Sequence, residues 1–204
     1  MSALSLACDE QNPLYFTVFP QAEDKLVELG VAIYEYFGGW SNSSKKFQDF
    51  IYRYGNDKAR VNAHSRGSLT VGNGLHDFEQ HGIHGIAKKT DIYLFGPAYN
   101  AQAMANTLNY VSDGKKDHVY LQNHLFDPIG IGFGHNPPTA YKVPLKFPYV
   151  LYPPAIPMRE IEGALAGHDP STHNCYGNAR DVCTRRYGSF TFKKVHSTRT
   201  GNKK

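Results

Sequence analysis

Ser65 lies in a short motif that is typical of serine nucleophiles. The segment Ala63-His64-Ser65-Arg66-Gly67 places a small residue two positions before and two positions after the serine. A sharp strand–turn–helix connection needs this spacing, because the strand and the helix approach each other closely there. Such a turn lifts the serine hydroxyl clear of the sheet, where it can attack a carbonyl carbon. The motif therefore predicts a nucleophile; the competing interpretation is a plain turn in which Ser65 caps a helix.

A serine nucleophile needs an imidazole base, and the base needs a carboxylate that orients it. In the chain order that accompanies this kind of turn, the acid comes after the serine and follows a later strand. Asp127 comes after the predicted strand 118–122, beyond its carboxyl end, and Pro128 behind it favours a turn. We therefore predict Asp127 as the acid, with a turn that has no chemical role as the alternative.

Two histidines on one later loop are candidates for the base. His168 follows a glycine and precedes the turn-forming pair Asp169-Pro170, and His173 lies a few residues further along. Both come after Asp127, as the chain order Ser, acid, His requires. The sequence favours His168 and keeps His173 as the alternative base.

Two backbone N–H groups are expected to stabilise the oxyanion that forms when a serine attacks a carbonyl. The first is that of Arg66, the residue directly after the nucleophile. The second is expected in the loop after the first predicted strand, where Pro20 has no N–H and Gln21 is therefore the better candidate. His64, on the other side of the nucleophile, is expected at the mouth of the substrate site.

The elements that must position these residues alternate between strands and helices. Short runs rich in β-branched or aromatic residues predict strands, and apolar stripes at helical spacing predict the helices between them. The predicted strands are 14–19, 59–63, 91–95 and 118–122, and the stripes lie in 26–37, 47–54 and 101–111, with a further helix of small side chains after Ser65. This alternation predicts a compact α/β fold with a mostly parallel sheet, helices on both faces and the site at the carboxyl ends of the strands.

The last third of the chain has a different character. Prolines recur between positions 144 and 157, so this aromatic stretch cannot be helical and predicts an ordered excursion over the edge of the sheet. From Arg180 onward eight basic residues face a single acid, although the net charge of the whole chain is only +4. We therefore predict one catalytic domain over residues 1–179 and a basic C-terminal tail over residues 180–204.

The cysteines, histidines and apolar runs indicate which cofactors and which membrane segments to expect. The cysteine and histidine spacings match no metal or redox motif, so we predict no metal and no cofactor. Whether Cys175 and Cys183 form a disulfide stays open. No apolar run approaches the roughly 20 residues of a membrane-spanning helix, and the first residues lack the basic leader of a signal peptide. Export would therefore depend on a larger protein that carries this chain.

The order of these motifs resembles that of class-3-type lipases. The likeness covers roughly residues 58–175 and is carried by the Ser65 motif, Phe95-Gly96-Pro97, Asp127-Pro128 and Gly167-His168. The Phe-Gly-Pro segment lacks one residue of the Phe-Gly-x-Pro element of that family. The resemblance implies an α/β-hydrolase fold and ester hydrolysis. The partners we predict are an ester or phospholipid substrate, with peripheral membrane contact and no nucleic-acid partner.

A second resemblance concerns how such a chain would be used. The short hydrolase-like core, the basic end and the lack of an export signal resemble the C-terminal effector of a filamentous-haemagglutinin-type polymorphic toxin in contact-dependent bacterial competition. This implies delivery by a larger exoprotein and a cognate immunity protein. Two other function classes stay open, namely a nuclease toxin that uses histidines and basic residues, and a non-catalytic α/β binding module.

Overall fold

The computed structural model of this chain is an α/β domain built on one mixed sheet. It describes residues 42–142, 173, 175, 176 and 190–199, together with the backbone of two further strands at 3–7 and 14–18. Six strands form the sheet in the order β2-β1-β3-β4-β5-β6. The strands are β1 (Ala3–Ala7), β2 (Leu14–Val18), β3 (Arg60–His64), β4 (Asp91–Phe95), β5 (His118–Gln122) and β6 (Lys193–His196). The described helices are α1 (Asn42–Tyr54), α2 (Gly67–Gln80) and α3 (Ala101–Val111), and a π-helical turn covers Pro128–Phe133.

The direction of the central strands decides where the functional residues gather. Strands β3, β4 and β5 are parallel to one another, whereas β1, β2 and β6 are added antiparallel at the two sides. Because the three parallel strands end at the same edge, the residues that follow each of them meet there. Helix α2 connects β3 to β4, and helix α3 connects β4 to β5.

One hydrophobic core lies between the sheet and the helices. Alternate residues of the central strands are buried, as the two-residue period of a strand requires; they are Val61, Ala63, Ile92, Leu94, Val119 and Leu121. The apolar stripes of the three helices pack against them in the same cluster, with Phe47, Ile51, Leu75, Met104 and Leu108 fully buried. Full burial of one such side chain stabilises the fold by about 1.5–3 kcal/mol.

A capping residue in the local sequence determines where helix α3 begins. Asn100 precedes the helix in an extended conformation, and its side chain accepts a hydrogen bond from Ala103 N. This N-cap satisfies one of the backbone N–H groups that a helix leaves without a partner in its first turn. The helix then runs over Ala101–Val111, which is the span of the apolar stripe in the sequence.

The α/β architecture and the positions of the central strands and helices confirm the sequence prediction. The sequence predicts helices on both faces of the sheet. In the described part of the chain, α1, α2 and α3 all pack on the same face. Because β3, β4 and β5 follow one another in a single direction across the sheet, right-handed crossovers place both connecting helices on the same side. The predicted stripe at 26–37 and the proline-rich excursion lie outside the described residues.

Strand β6 shows that part of the predicted C-terminal tail belongs to the sheet. Residues 180–204 were expected to lie outside the domain, but Lys193–His196 pairs with β5 and belongs to the sheet. Within the described residues, no helix has the length and apolar character needed to cross a membrane.

Candidate active site

Ser65 sits on a tight turn that is fixed on both sides. It follows β3 directly, and its φ of +53° places a non-glycine residue in the left-handed region, which such residues rarely adopt. Its N–H donates to Phe95 O at 3.2 Å, and its carbonyl accepts from Ser68 N at 3.0 Å and from Ala98 N at 3.3 Å. The turn between β3 and α2 therefore holds the serine in one orientation.

Small side chains at the start of α2 let the helix approach the turn after β4. The Ser68 hydroxyl donates to Ser65 O at 2.6 Å and accepts from Tyr99 N at 2.9 Å. A Cβ added at Gly72 would come within 2.3 Å of the Tyr99 ring. The stripe of small residues that the sequence places after Ser65 therefore makes room for the neighbouring turn.

Ser65, His173 and Asp127 form a continuous hydrogen-bonded chain. Ser65 Oγ lies 2.9 Å from His173 Nε2, and His173 Nδ1 lies 3.0 and 3.1 Å from the two carboxylate oxygens of Asp127. The contact with a carboxylate favours a proton on Nδ1, which leaves Nε2 to accept the hydrogen of the serine hydroxyl. The imidazole and the carboxylate behind it are both buried, since His173 is 5% and Asp127 0% exposed.

The Asp127 carboxylate caps the π-helical turn and is held by backbone N–H groups of that turn. Its Oδ1 accepts from Ile129 N and Gly130 N, both at 2.9 Å, at the start of the π-helical turn. Its Oδ2 accepts from the Tyr176 hydroxyl at 2.6 Å. Burial by itself raises the pKa of Asp127, but the charge of His173 and the hydrogen bonds from His173, Tyr176 and Gly130 outweigh it and lower the pKa to about 2. Asp127 is therefore ionised at neutral pH.

Gly96 provides the space in which these groups meet. It follows β4 with a φ of +48°, and an added Cβ would lie 2.3 Å from Asp127 Oδ2, 2.6 Å from Tyr176 Cε2 and 3.1 Å from His173 Nδ1. Distances below about 3 Å exceed what packing can absorb without displacing a neighbour. Only glycine fits this position.

His64 contacts the candidate base. Its ring stacks on that of His173 with centroids 4.8 Å apart, and its Nε2 lies 2.8 Å from His173 O. The ring of Tyr176 lies 5.7 Å away on a tilted plane. The structure thus places His64 beside the imidazole, where it holds the backbone of residue 173, and its expected role at the substrate mouth stays a prediction.

The segment that carries His173 is anchored at several points. Cys175 is buried and disulfide-bonded. The Tyr176 hydroxyl accepts from His124 N at 3.2 Å, and its ring packs against Phe190 at 5.2 Å. These contacts attach a segment far along the chain to the loop that follows β5.

The structure brings together two of the three residues that the sequence favoured. Ser65 and Asp127 meet, and the position that faces the serine is filled by His173, the alternative base. His168 and Gln21 lie outside the described residues. Arg66 directly follows Ser65 and precedes the first residue of α2, and its role as the first oxyanion donor stays a prediction.

Gly96 and Tyr176 were not predicted as site residues, although Gly96 belongs to the Phe95-Gly96-Pro97 segment of the sequence resemblance. Gly96 is visible there as the glycine between Phe95 and Pro97, directly after a predicted strand, which is the position of a turn close to the site. Tyr176 has a weaker signal, because its proximity to the candidate base becomes apparent only once His173 is identified. A buried tyrosine hydroxyl normally needs a hydrogen-bond partner, and here that partner is the buried carboxylate.

The arrangement has the parts required for nucleophilic catalysis. A hydroxyl, an imidazole within hydrogen-bonding distance and a buried carboxylate behind it are what activate a serine. Comparison with known proteins adds no relative, since no family model, no curated protein and no solved structure matches this chain.

Proposed function

We propose that this protein is a serine hydrolase that cleaves an ester through Ser65, His173 and Asp127. The observation that carries the proposal is the 2.9 Å contact between Ser65 Oγ and His173 Nε2, with Asp127 on the opposite nitrogen of the ring. A structural serine has no need of a buried imidazole oriented by a carboxylate. The left-handed backbone of Ser65 adds support, because strain of this kind clusters at functional sites.

The reaction follows from the hydrogen-bond chain. Ser65 Oγ attacks the ester carbonyl carbon while its proton moves to His173 Nε2. Asp127 stays ionised and stabilises the imidazolium that forms. The bond to the leaving alcohol then breaks, and His173 returns its proton to the alcohol oxygen. Water, activated by the same imidazole, cleaves the acyl–serine ester and regenerates the free hydroxyl.

The negative charge that develops on the carbonyl oxygen needs donors. We assign the backbone N–H of Arg66 as one of them, because it follows the nucleophile at the start of the 14-residue helix α2. The partial positive charge of a helix N-terminus favours an anion at this place. Gln21 remains our candidate for the second donor. Loss of one such donor lowers the rate by about 10²–10³-fold.

The order of elements supports an α/β-hydrolase fold of the class-3-lipase type. The nucleophile follows β3, Gly96 follows β4 and the acid comes after β5, so these positions lie beyond the carboxyl ends of three adjacent parallel strands. The base comes later in the chain, as in the Ser, acid, His order. Within this proposal the substrate is a phospholipid or another acyl ester, and Arg66, next to the nucleophile in the chain, is our candidate for binding an anionic group on it.

The proposed use of this activity is that of an effector delivered by a larger exoprotein and neutralised by an immunity protein. This proposal rests on the sequence resemblance and is separate from the chemistry at Ser65. Toxicity of the chain in a bacterial cell, lost in Ser65→Ala, would link the two.

A fluorophosphonate probe tests the chemistry most directly, because it forms a covalent bond with an activated serine whatever the natural substrate is. We expect one labelled site, located at Ser65 by peptide mass spectrometry. Ser65→Ala should abolish labelling and hydrolysis of short acyl esters while leaving the circular dichroism spectrum unchanged. Ser43→Ala, the same change on helix α1, should label as the wild type does. An unlabelled wild-type protein, or full ester turnover in Ser65→Ala, would refute the proposal.

A further inference from the structure

A second cluster of chemically active side chains lies at the other end of β5. His118 opens β5 and His196 closes β6, and the two residues are directly opposite each other in the antiparallel pairing. Asp117 precedes His118 and stands between the two rings. Its Oδ1 lies 2.7 Å from His118 Nδ1 and its Oδ2 lies 3.1 Å from His196 Nδ1. The candidate active site lies beyond the carboxyl ends of the parallel strands, so the two clusters are separate.

The donor set and its spacing suit a transition-metal ion. Among the described residues, these three offer ligand atoms that all lie within 4.8 Å of one another. Tetrahedral zinc with bonds of 2.0–2.1 Å holds neighbouring ligand atoms roughly 3.3 Å apart. The two nitrogen–oxygen distances of 2.7 and 3.1 Å are slightly shorter than this. Small side-chain rotations therefore suffice to admit an ion between the three groups.

The accessibility of the ring nitrogens points to Nδ1 as the ligand atom of His118. Its Nε2 is buried and has no hydrogen-bond partner in the described part of the chain, so a solvent ion cannot reach it. The side chains of Asp117 and His196 are 56% and 58% exposed, which leaves the space between the three groups open to solvent. Two imidazoles and one carboxylate with an open position suit Zn²⁺ better than Mg²⁺, which prefers oxygen ligands.

The backbone that carries these ligands is fixed by other contacts. Ser197 N donates to the backbone carbonyl of Asp117, and Gln102 on helix α3 donates to the carbonyl of His196. Asn106, one turn further along the helix, accepts from the Ser197 hydroxyl at 2.9 Å. The three ligands are thus held close together before any ion binds, which reduces the conformational entropy lost on binding.

We propose that Asp117, His118 and His196 bind one zinc ion that fastens β6 to β5. The ion would replace the hydrogen bonds between the carboxylate and the two rings with coordinate bonds. Because the chain just before β6 carries Phe190, which packs on Tyr176, the ion would also stabilise the segment behind the candidate base. This site could not be predicted from the sequence, because Asp117 and His196 are far apart in the chain and only the β5–β6 pairing brings them together.

Calorimetric titration of the untagged full chain with ZnCl₂ tests the proposal. We expect one ion per chain and a higher thermal unfolding midpoint when zinc is present, with no binding of MgCl₂. Loss of an outer-shell partner alone weakens metal binding about 10–100-fold, so His196→Ala and Asp117→Asn, which each remove a ligand, should weaken it by about 100-fold or more. Two variants are used so that misfolding of one leaves the test intact.

His81→Ala is the matched control. His81 is exposed and pairs with Asp77 at 3.1 Å on helix α2, but that pair offers one imidazole and one carboxylate only. Its zinc affinity should equal that of the wild type. Unchanged zinc affinity in both ligand variants, or no zinc binding by the folded wild-type chain, would overturn the site.

Discussion

Asp127 owes its ionised state to the groups around it. A carboxylate with no exposed surface would ordinarily take up a proton, because burial disfavours the charged form. Here His173, Tyr176 and two backbone N–H groups all face it. Each donor therefore helps to keep the charge that the imidazole needs behind it during the proposed reaction.

Tyr176→Phe should lower turnover without loss of substrate binding. The hydroxyl donates to Asp127 at 2.6 Å, and a hydrogen bond to a charged group is worth about 1.5–3 kcal/mol. If about half of this is felt in the transition state, kcat falls roughly 4- to 12-fold. We expect KM to stay unchanged, because the hydroxyl points at the acid. Steady-state kinetics with a short acyl ester measures both constants.

Tyr141→Phe is the control for this prediction. Tyr141 is 60% exposed and donates to Pro138 O, so its hydroxyl has no contact with Asp127. Its kcat should match that of the wild type. Equal kcat values for Tyr176→Phe and the wild type would show that the tyrosine does not help to position the acid.

A site residue can be predicted from the sequence when a local signal determines its position, but not when contacts between distant parts of the chain do. Ser65 and Asp127 could be found because each stands near the end of a strand with a clear local signal. The base could not be chosen, since His168 and His173 share one loop and both satisfy the chain order. Its selection depends on contacts between distant parts of the chain, such as His64 with the carbonyl of His173, and local sequence does not record these.

At the scale of elements, the turn after β4 is as important as the nucleophile turn. Gly96 N donates to Gln122 O at 2.9 Å, which extends the link between the ends of β4 and β5. The buried Asn136 side chain donates to Pro97 O and Tyr99 O and accepts from Ala101 N. The turn is therefore held from both sides, and Gly96 cannot move away to admit a side chain.

Gly96→Ala should damage both stability and activity. The new methyl group would meet Asp127 and Tyr176 inside contact distance, and alanine is also strained at a φ of +48°. Together these effects should lower the free energy of unfolding by about 2–4 kcal/mol. Because the displaced groups are the acid and its donor, residual ester hydrolysis by the folded fraction should also fall. Chemical denaturation and kinetics measure the two effects.

Gly114→Ala separates backbone strain from steric contact. Gly114 has a φ of +72° with nothing near the position of its Cβ, so only the strain of about 1–2 kcal/mol applies. Its activity should remain that of the wild type. If Gly96→Ala were no more destabilising than Gly114→Ala, the close packing around Gly96 would be disproved.

Strands with an apolar pattern of their own could be predicted from the sequence. A strand that depends mainly on hydrogen-bonded pairing with its neighbour could not. In strands β3, β4 and β5 buried residues alternate with partly buried or exposed ones, and the sequence shows them as apolar runs. In β6 only Val195 is buried, and its two lysines resemble a solvated tail. An edge strand of this kind is stabilised by hydrogen bonds to β5, which carry no sequence signature.

At the scale of the whole molecule, acid should weaken the fold partly through three carboxyl groups. Hydrogen bonds from Lys88 and His84 lower the pKa of Asp113, and hydrogen bonds from His118 and His196 lower that of Asp117. Both are exposed, so solvent screens their contribution to stability. Asp127 is the buried member of the three and has the pKa that is lowered to about 2. Its contribution is therefore the one that a single substitution can reveal.

The stability of the wild type relative to Asp127→Asn should fall with pH below about 4. A carboxyl group whose pKa is lower in the folded than in the unfolded state stabilises the fold above its unfolded value of 3.8, and this is lost as pH falls through the folded value of about 2. The shift corresponds to a contribution on the order of 2 kcal/mol, of which roughly half is lost by about pH 3. Urea unfolding of both proteins between about pH 6 and pH 3 measures the difference. Asp113 and Asp117 titrate equally in both proteins and cancel, so a difference that stays constant over this range would mean that Asp127 is not held ionised by its neighbours.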